Sequence, residues 1–378
     1  MIPEKQLSLP TFRSLRNSNV LVYLVWSVLI VGKAFGLSSK SNVYLIATAL
    51  AMVFAAIDFV ARPLPSKQLL LGIGLCGVGF AAWRLSGDAS LLLATILICL
   101  FQKVDFGVLI KFTLIVYGSI AITRFILAIT GFADIQPVFN YERSTMRYGL
   151  GFVGPNTAQS VLTYLTGVLA ISNIANKHKR VLLIALLAFS FYVYTYTGSR
   201  TSIICAIAIT ACMMLPKKSL ELLMRHAACL QWIIPVLSIV ASITYGQWAS
   251  HINLGTFESR FLDAHELIAS GGISLCGAPV SGTLDLGYVK LLGECGIIGF
   301  VMVCGLYIFT AYTLQRHKMW NELLVMSVYA VVCVLEAYCT TATLNPTVML
   351  AALALATTWR QEHLISRSPS HTPKAETS

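Results

Sequence analysis

The sequence predicts an all-α integral membrane protein of about twelve transmembrane helices, on the strength of its composition, its recurring apolar runs and the alternation of its basic residues. Of 378 residues, 57% are hydrophobic and only 11% charged, with a mean hydropathy of +0.76. Soluble domains carry about a quarter charged residues, so a soluble globular class is excluded. Apolar runs of roughly 17 to 25 residues, each able to cross a hydrocarbon core about 30 Å thick, recur along nearly the whole chain. They leave no room for a sizeable soluble domain. Residues 1–358 therefore read as a single polytopic membrane domain. Residues 359–378, polar and rich in Ser, Thr and Pro, read as a disordered cytoplasmic tail.

Lys5, Arg13 and Arg16 precede the first apolar run at Val20, which lacks an A-x-A-type cleavage site and so reads as an uncleaved first helix. Spans are expected at approximately 20–37, 43–61, 68–83, 89–101, 106–130, 153–174, 181–197, 201–215, 230–246, 296–313, 321–339 and 346–358, the fourth being short. With the amino terminus inside, the inner segments carry Arg62, Lys67, Lys103, Lys177, Lys179, Arg180, Lys217, Lys218, Arg225, Arg316, Lys318 and the basic residues of the tail. The outer segments carry far fewer: Lys40, Arg84, Arg143, Arg147, Arg200 and Arg260. This asymmetry places both termini in the cytoplasm and accounts for the net charge of +11 as membrane orientation rather than nucleic-acid binding. Two outer segments are long, roughly 131–152 and 247–295, and function is expected on them. Most of the ten cysteines lie in apolar spans without metal-ligand spacing and read as small core residues; Cys276 and Cys339 share the outer side, where a disulfide is conceivable.

All but one of the outer basic residues are arginines, whose planar fork of donors suits bidentate contact with phosphate oxygens. Arg143 and Arg147 stand four residues apart, so a helical turn would set both guanidiniums on one face, able to clamp a diphosphate. A solvated loop balanced by Glu142 or Asp134 is the plainer reading. In Thr197-Gly-Ser-Arg-Thr201, Ser199 is a natural N-cap and Arg200 falls in a first helical turn, where the helix dipole disfavours a cation unless an anion joins it. Interfacial snorkelling is the alternative. Gly154-Pro155-Asn156 reads as a helix start with free N–H groups. The second long segment mixes His251, Glu258, Arg260, Asp263, His265, Glu266 and Asp285, so a general base and a cation are both within it. Residues 285–295 read as a short interfacial helix ahead of a span from Gly296, with Lys290 and Glu294 paired. Arg124 and Glu336 lie inside spans towards the outer ends, where a charge is costly unless it faces a polar cavity; they are second-tier site candidates. Asp58 with Arg62 reads as structural, and Lys33 and Lys111 as snorkelling cations.

The order of the motifs, an Arg-bearing outer loop, then GFVGPNTAQ, TGSRT, ESRF and DLGYVKLLGECGIIG, resembles the Wzy-type polysaccharide polymerases of the O-antigen ligase and polymerase superfamily, over about residues 140–313. The resemblance implies a GT-C-like architecture in a bacterial cytoplasmic membrane. It implies undecaprenyl-diphosphate-linked oligosaccharides as donor and acceptor, no cofactor and no metal, and a flippase and a chain-length regulator as partners beside membrane lipid. Arg143 or Arg147, Arg200 and Arg260, with Asn156, match the family's outer-face residues that engage the lipid diphosphate. Asp285 stands where the ligase branch carries a His, which favours a polymerase; Asp285 is then the first choice of acceptor-side base and His265 the second. A ligase that transfers finished glycan to another acceptor, and a lipid-linked-glycan flippase or transporter, are the alternatives.

Overall fold

The computed structural model describes residues 19–34, 42–133, 137–140, 145–252, 257–280 and 284–367. The chain is largely helical. In order come α1 (Val20–Ala34), α2 (Asn42–Ala61), α3 (Ser66–Ser86), α4 (Ser90–Phe101), α5 (Phe106–Ile129), the strands β1 (Pro137–Asn140) and β2 (Thr145–Tyr148), α6 (Pro155–Ala170), α7 (Asn176–Thr197) and α8 (Arg200–Met214). There follow α9 (Lys217–Met224), α10 (Leu230–Ile243), α11 (Tyr245–Trp248), α12 (Glu258–Ala269), α13 (Gly287–Arg316), α14 (Trp320–Leu335) and α15 (Thr347–Arg367). The last helix runs to Arg367, several residues beyond the start of the expected disordered tail.

The surface is that of a protein whose solvent is not water. Val60, Leu70 and Val181 are 76%, 74% and 62% exposed, whereas Asp58, Gln159 and Lys179 are buried. So much outward apolar surface is too much for a soluble monomer. Among the described residues four helices are long and apolar enough to cross a membrane, α3, α5, α7 and α13, and a fifth span arises if α9 and the segment 227–243, bent by 43°, count together. Six other apolar helices are shorter. At 1.5 Å per residue, the twelve residues of α4 rise only about 18 Å, well under the hydrocarbon thickness. The fold is therefore that of an all-α membrane protein with four to five spanning helices by length.

Two helices form the centre. α13 packs on α3, α10, α14 and α15, and α6 packs on α5, α7, α8 and α14. Nearly every residue of α6 is buried, so its Gln159, Ser160, Thr163 and Thr166 must find partners within the protein. α1 is tied to α5 by the buried Trp26 indole, which donates to Thr113 Oγ1 at 2.9 Å. At one end of the bundle Asp58 receives both Arg62 and Lys103, the latter at 2.9 Å, a compact buried ion cluster that joins α2 to the α4–α5 turn. α13 breaks at Gly296, whose φ of 69° and ψ of −178° belong to glycine alone. The short helix 287–295 ahead of this break carries the Lys290–Glu294 pair at 3.6 Å.

Candidate functional site

Between α5 and α6 the chain forms an antiparallel hairpin, with Val138 opposite Arg147. Arg147 thus lies in a strand, and the helical turn that would align it with Arg143 is not formed at 145–148. Pairing to β1 satisfies these backbone groups instead. Arg143 itself lies outside the described residues. Arg147 donates to Asn156 Oδ1 at 2.7 Å and, through Nε, to the Thr197 carbonyl. One guanidinium therefore stitches the hairpin to the start of α6 and the end of α7.

α7 closes on Gly198, held at φ 58°, and α8 begins two residues later. Ser199 occupies the N-cap position but its hydroxyl makes no capping bond; it lies 3.5 Å from Ser202 Oγ. Arg200, the first residue of α8, is exposed and has no hydrogen-bond or ionic partner among the described residues. α6 starts as expected, with Gly154 at the N-cap and Pro155 in its first turn. Behind these termini a buried polar ladder crosses three helices. Ser160 and Ser202 hydroxyls meet at 3.0 Å, Thr163 donates to the Ser202 carbonyl at 2.8 Å, and Gln159 donates to the Ser190 carbonyl while accepting from Thr197 Oγ1.

Arg260, in the first turn of α12, reaches the same end of the bundle. Its guanidinium donates to the Leu335 carbonyl at the end of α14 and lies 3.4 Å from Asp285 and 3.7 Å from Glu336. Asp285 is 45% exposed; Glu336 is only 5% exposed. α14 ends at Leu335, so Glu336 opens the connecting segment 336–346 instead of lying within a helix. Burial raises its carboxyl to about 7 against the opposing pull of Arg260, with Asp285 adding to the rise and Arg147 working against it. Arg260 thus pairs directly with this buried carboxyl, and Arg147, from the other long loop, adds a weaker electrostatic pull.

The segment 336–346 is itself built. Asn345 donates to the carbonyls of Tyr338 and Cys339 at 3.1 and 3.3 Å and accepts from Thr347 N and Oγ1, while Ser160 Oγ lies 3.4 Å from the Tyr338 hydroxyl. Gly287 approaches so closely that a Cβ there would stand 2.5 Å from the Glu336 carbonyl. The span expected at 321–339 stops at Leu335, so residues 336–339 belong to this polar connection and not to a helix. The signal was present in the polar run Thr340-Thr-Ala-Thr-Leu-Asn345 between two apolar stretches.

Other candidates fall elsewhere. His265 lies five residues after Arg260, about 140° around α12, and its Nδ1 donates to the Ser242 carbonyl at 3.0 Å with the ring against Tyr245. Arg124 stands near the end of α5 with its backbone carbonyl against Gly151. Cys276 and Cys339 are both free thiols. Among the described residues no group of three His, Cys, Asp or Glu side chains is placed to hold a metal ion.

An apolar groove leads away from the arginines. One cavity of about 590 Å³ lies between α5, α6 and α7, lined by residues such as Ile122, Leu165 and Leu186. Another of about 420 Å³ shares Phe125, Ile129 and Phe189 with it and continues to Tyr148, Tyr192 and Tyr196. Tyr196 lines this cavity and the next residue, Thr197, holds Arg147 through its carbonyl, so this end of the groove lies near the hairpin's arginine. The fold and this site define a helical membrane protein with an arginine–carboxylate centre at one end. Comparison with family models, with curated proteins and with solved structures finds no match.

Proposed function

We propose that the chain polymerises undecaprenyl-diphosphate-linked oligosaccharide repeats at the outer face of a bacterial cytoplasmic membrane, as a metal-independent GT-C-like glycosyltransferase resembling the Wzy-type polymerases. One observation carries most of this reading: Arg260 pairs with the buried Glu336, whose carboxyl also feels the charge of Arg147, and an apolar groove of about 420 Å³ is lined by Tyr148 of the same hairpin. A polyprenyl diphosphate needs both, a hydrocarbon channel and cations for its phosphates.

In this reading α1 to α8, α10, α13, α14 and α15 each pass the bilayer, giving twelve spans. The shorter ones are accommodated by local thinning of the bilayer and by the segments that continue them. The hairpin, Arg200, Arg260 and Glu336 then face outward, and Lys103, Lys179, Lys217 and Lys318 face the cytoplasm, in accord with retention of basic residues inside.

The chemistry follows from the groups present. The donor diphosphate binds at the exposed Arg200 and competes with the carboxylates for Arg260. The acceptor's hydroxyl oxygen forms a bond to the donor's anomeric carbon, and the bond from that carbon to the diphosphate oxygen breaks. The hydroxyl proton passes to a carboxylate, Glu336 or Asp285, and the departing diphosphate keeps the electron pair, stabilised by the guanidiniums. The growing glycan thereby moves onto the newer lipid-linked repeat. His265 is less suited as the base, because its ring is turned towards α10.

The test uses purified protein in liposomes with lipid-linked single repeats, without a gradient or nucleotide. Wild type lengthens the repeats, and Arg200→Ala or Arg260→Ala lowers the rate by about a hundredfold or more. Normal polymer from both variants, or movement of repeats across the bilayer without lengthening, would defeat the assignment.

A further inference from the structure

At the end of the bundle opposite the arginine centre lies a cavity of about 310 Å³ whose lining brings together Lys179 and Arg180 of α7, Lys217 of α9 and Lys318 of the α13–α14 turn. Four cations face one carboxylate there, Glu322. Retention of basic residues on the inner side explains why such residues occur in these loops. It does not explain why four of them, from three separate segments, share one concavity.

Two further features point to an anion. Lys179 is 4% exposed, with Glu322 its nearby counter-charge, and among the described residues its ammonium makes one hydrogen bond, to the Ala170 carbonyl at 3.2 Å, out of three donors. The amino terminus of the 16-residue α14 opens onto the same cavity; Glu322 takes its own backbone N–H there, and the N-cap residue Met319 provides no side-chain cap for those of Trp320 and Asn321. Lys318, at φ 56°, closes α13 in a Schellman cap, with its N–H on the Gln315 carbonyl and that of Met319 on the Leu314 carbonyl, and this turn sets the cavity's edge. Beside the cavity, α9 buries Leu220 and Met224 against the body and exposes Leu222 and Leu223, the pattern of a short helix lying in a membrane interface.

We propose that this cavity is a phosphate-binding site, separate from the transfer site and independent of the function assigned to it, and that it takes the phosphodiester of an acidic phospholipid or a soluble phosphate. The Lys179 ammonium and the α14 amino terminus form its floor. Arg180, Lys217 and Lys318 form its rim, and Trp320 offers an apolar wall at the headgroup level.

Native mass spectrometry on the full chain, released from detergent with equal phosphatidylglycerol and phosphatidylcholine, tests the lipid source. Thermal stability in detergent with and without inorganic phosphate tests the soluble one. Wild type should retain phosphatidylglycerol by about tenfold over phosphatidylcholine, the scale of one or two charge-assisted contacts, and Arg180→Gln with Lys217→Gln should abolish that preference. Lys177→Gln with Lys218→Gln removes the same charge from exposed positions that do not line the cavity and should leave the preference intact. Protection by inorganic phosphate without lipid preference, lost in the cavity variant alone, supports the same site with a soluble ligand. Equal loss in both double variants, or no response to either ligand, overturns the proposal.

Discussion

Glu336 concentrates the electrostatics of the proposed transfer site in one side chain. A carboxylate this buried is costly to ionise, and Arg260 alone does not restore its ordinary value, so it titrates near neutrality. Its folded value lies above the unfolded one, so the folded state binds the proton more tightly. The resulting stability is present below about pH 4.5 and is lost as pH rises through about 7. Wild-type protein in detergent should therefore melt at progressively lower temperature across that window, and Glu336→Gln should flatten the dependence. A melting profile unchanged by the substitution would show that Glu336 is not the group responsible. If Glu336 is also the base, transfer activity should climb over the same window and Glu336→Gln should abolish the climb. Arg260 makes three contacts in different directions, to Leu335, Asp285 and Glu336. A lysine cannot reproduce that fork, so Arg260→Lys should recover little of the activity lost in Arg260→Ala. Near-complete rescue, measured as polymer formed, would reduce its role to charge alone.

At the scale of elements, the segment 336–346 and the break in α13 decide where the acid sits. Asn345 satisfies two carbonyls and caps the start of α15 with one side chain. Asn345→Ala leaves those buried groups unpaired and should cost about 1–3 kcal/mol, read as a lowered melting temperature. Gly296 admits no other residue: its φ is positive, and a Cβ there would stand 2.5 Å from the Leu275 carbonyl oxygen. Gly296→Ala should cost on the order of 3 kcal/mol and displace residues 287–295 from Glu336, lowering both stability and transfer rate. An unaltered melting temperature would show that the break is not needed. Of the two, the break is legible in the sequence. The helix 287–295, its Lys290–Glu294 pair and the break at Gly296 follow from spacing and glycine placement. The hairpin does not: nothing local separates a helical turn at 143–147 from a strand, and the pairing of Val138 with Arg147 is a contact between segments.

For the molecule as a whole, orientation decides which leaflet the arginine centre meets. Cysteines introduced at Val153, beside the hairpin, and at Lys177, at the opposite end, should differ in intact cells. An impermeant thiol reagent should label the first and spare the second. The reverse pattern would place the arginine centre in the cytoplasm, where a lipid-linked acceptor presented on the outer leaflet could not reach it. The background of native thiols favours this experiment, since most of the ten cysteines lie in apolar helices and many are buried.

Composition and periodicity alone determined that the protein is helical and membrane-embedded, where most of its helices fall and which polar residues stand at their ends, because these depend on local hydropathy and on residues within a few positions of one another. Tertiary structure alone decided which of those polar residues meet. Arg260 is brought to Glu336 and Asp285, Arg147 to Asn156 and the Thr197 carbonyl, His265 is turned away by its position on the helix, and the cations at the opposite end are gathered from three segments into one cavity. Contacts of this kind join residues tens to hundreds of positions apart, and hydropathy carries no record of such pairings.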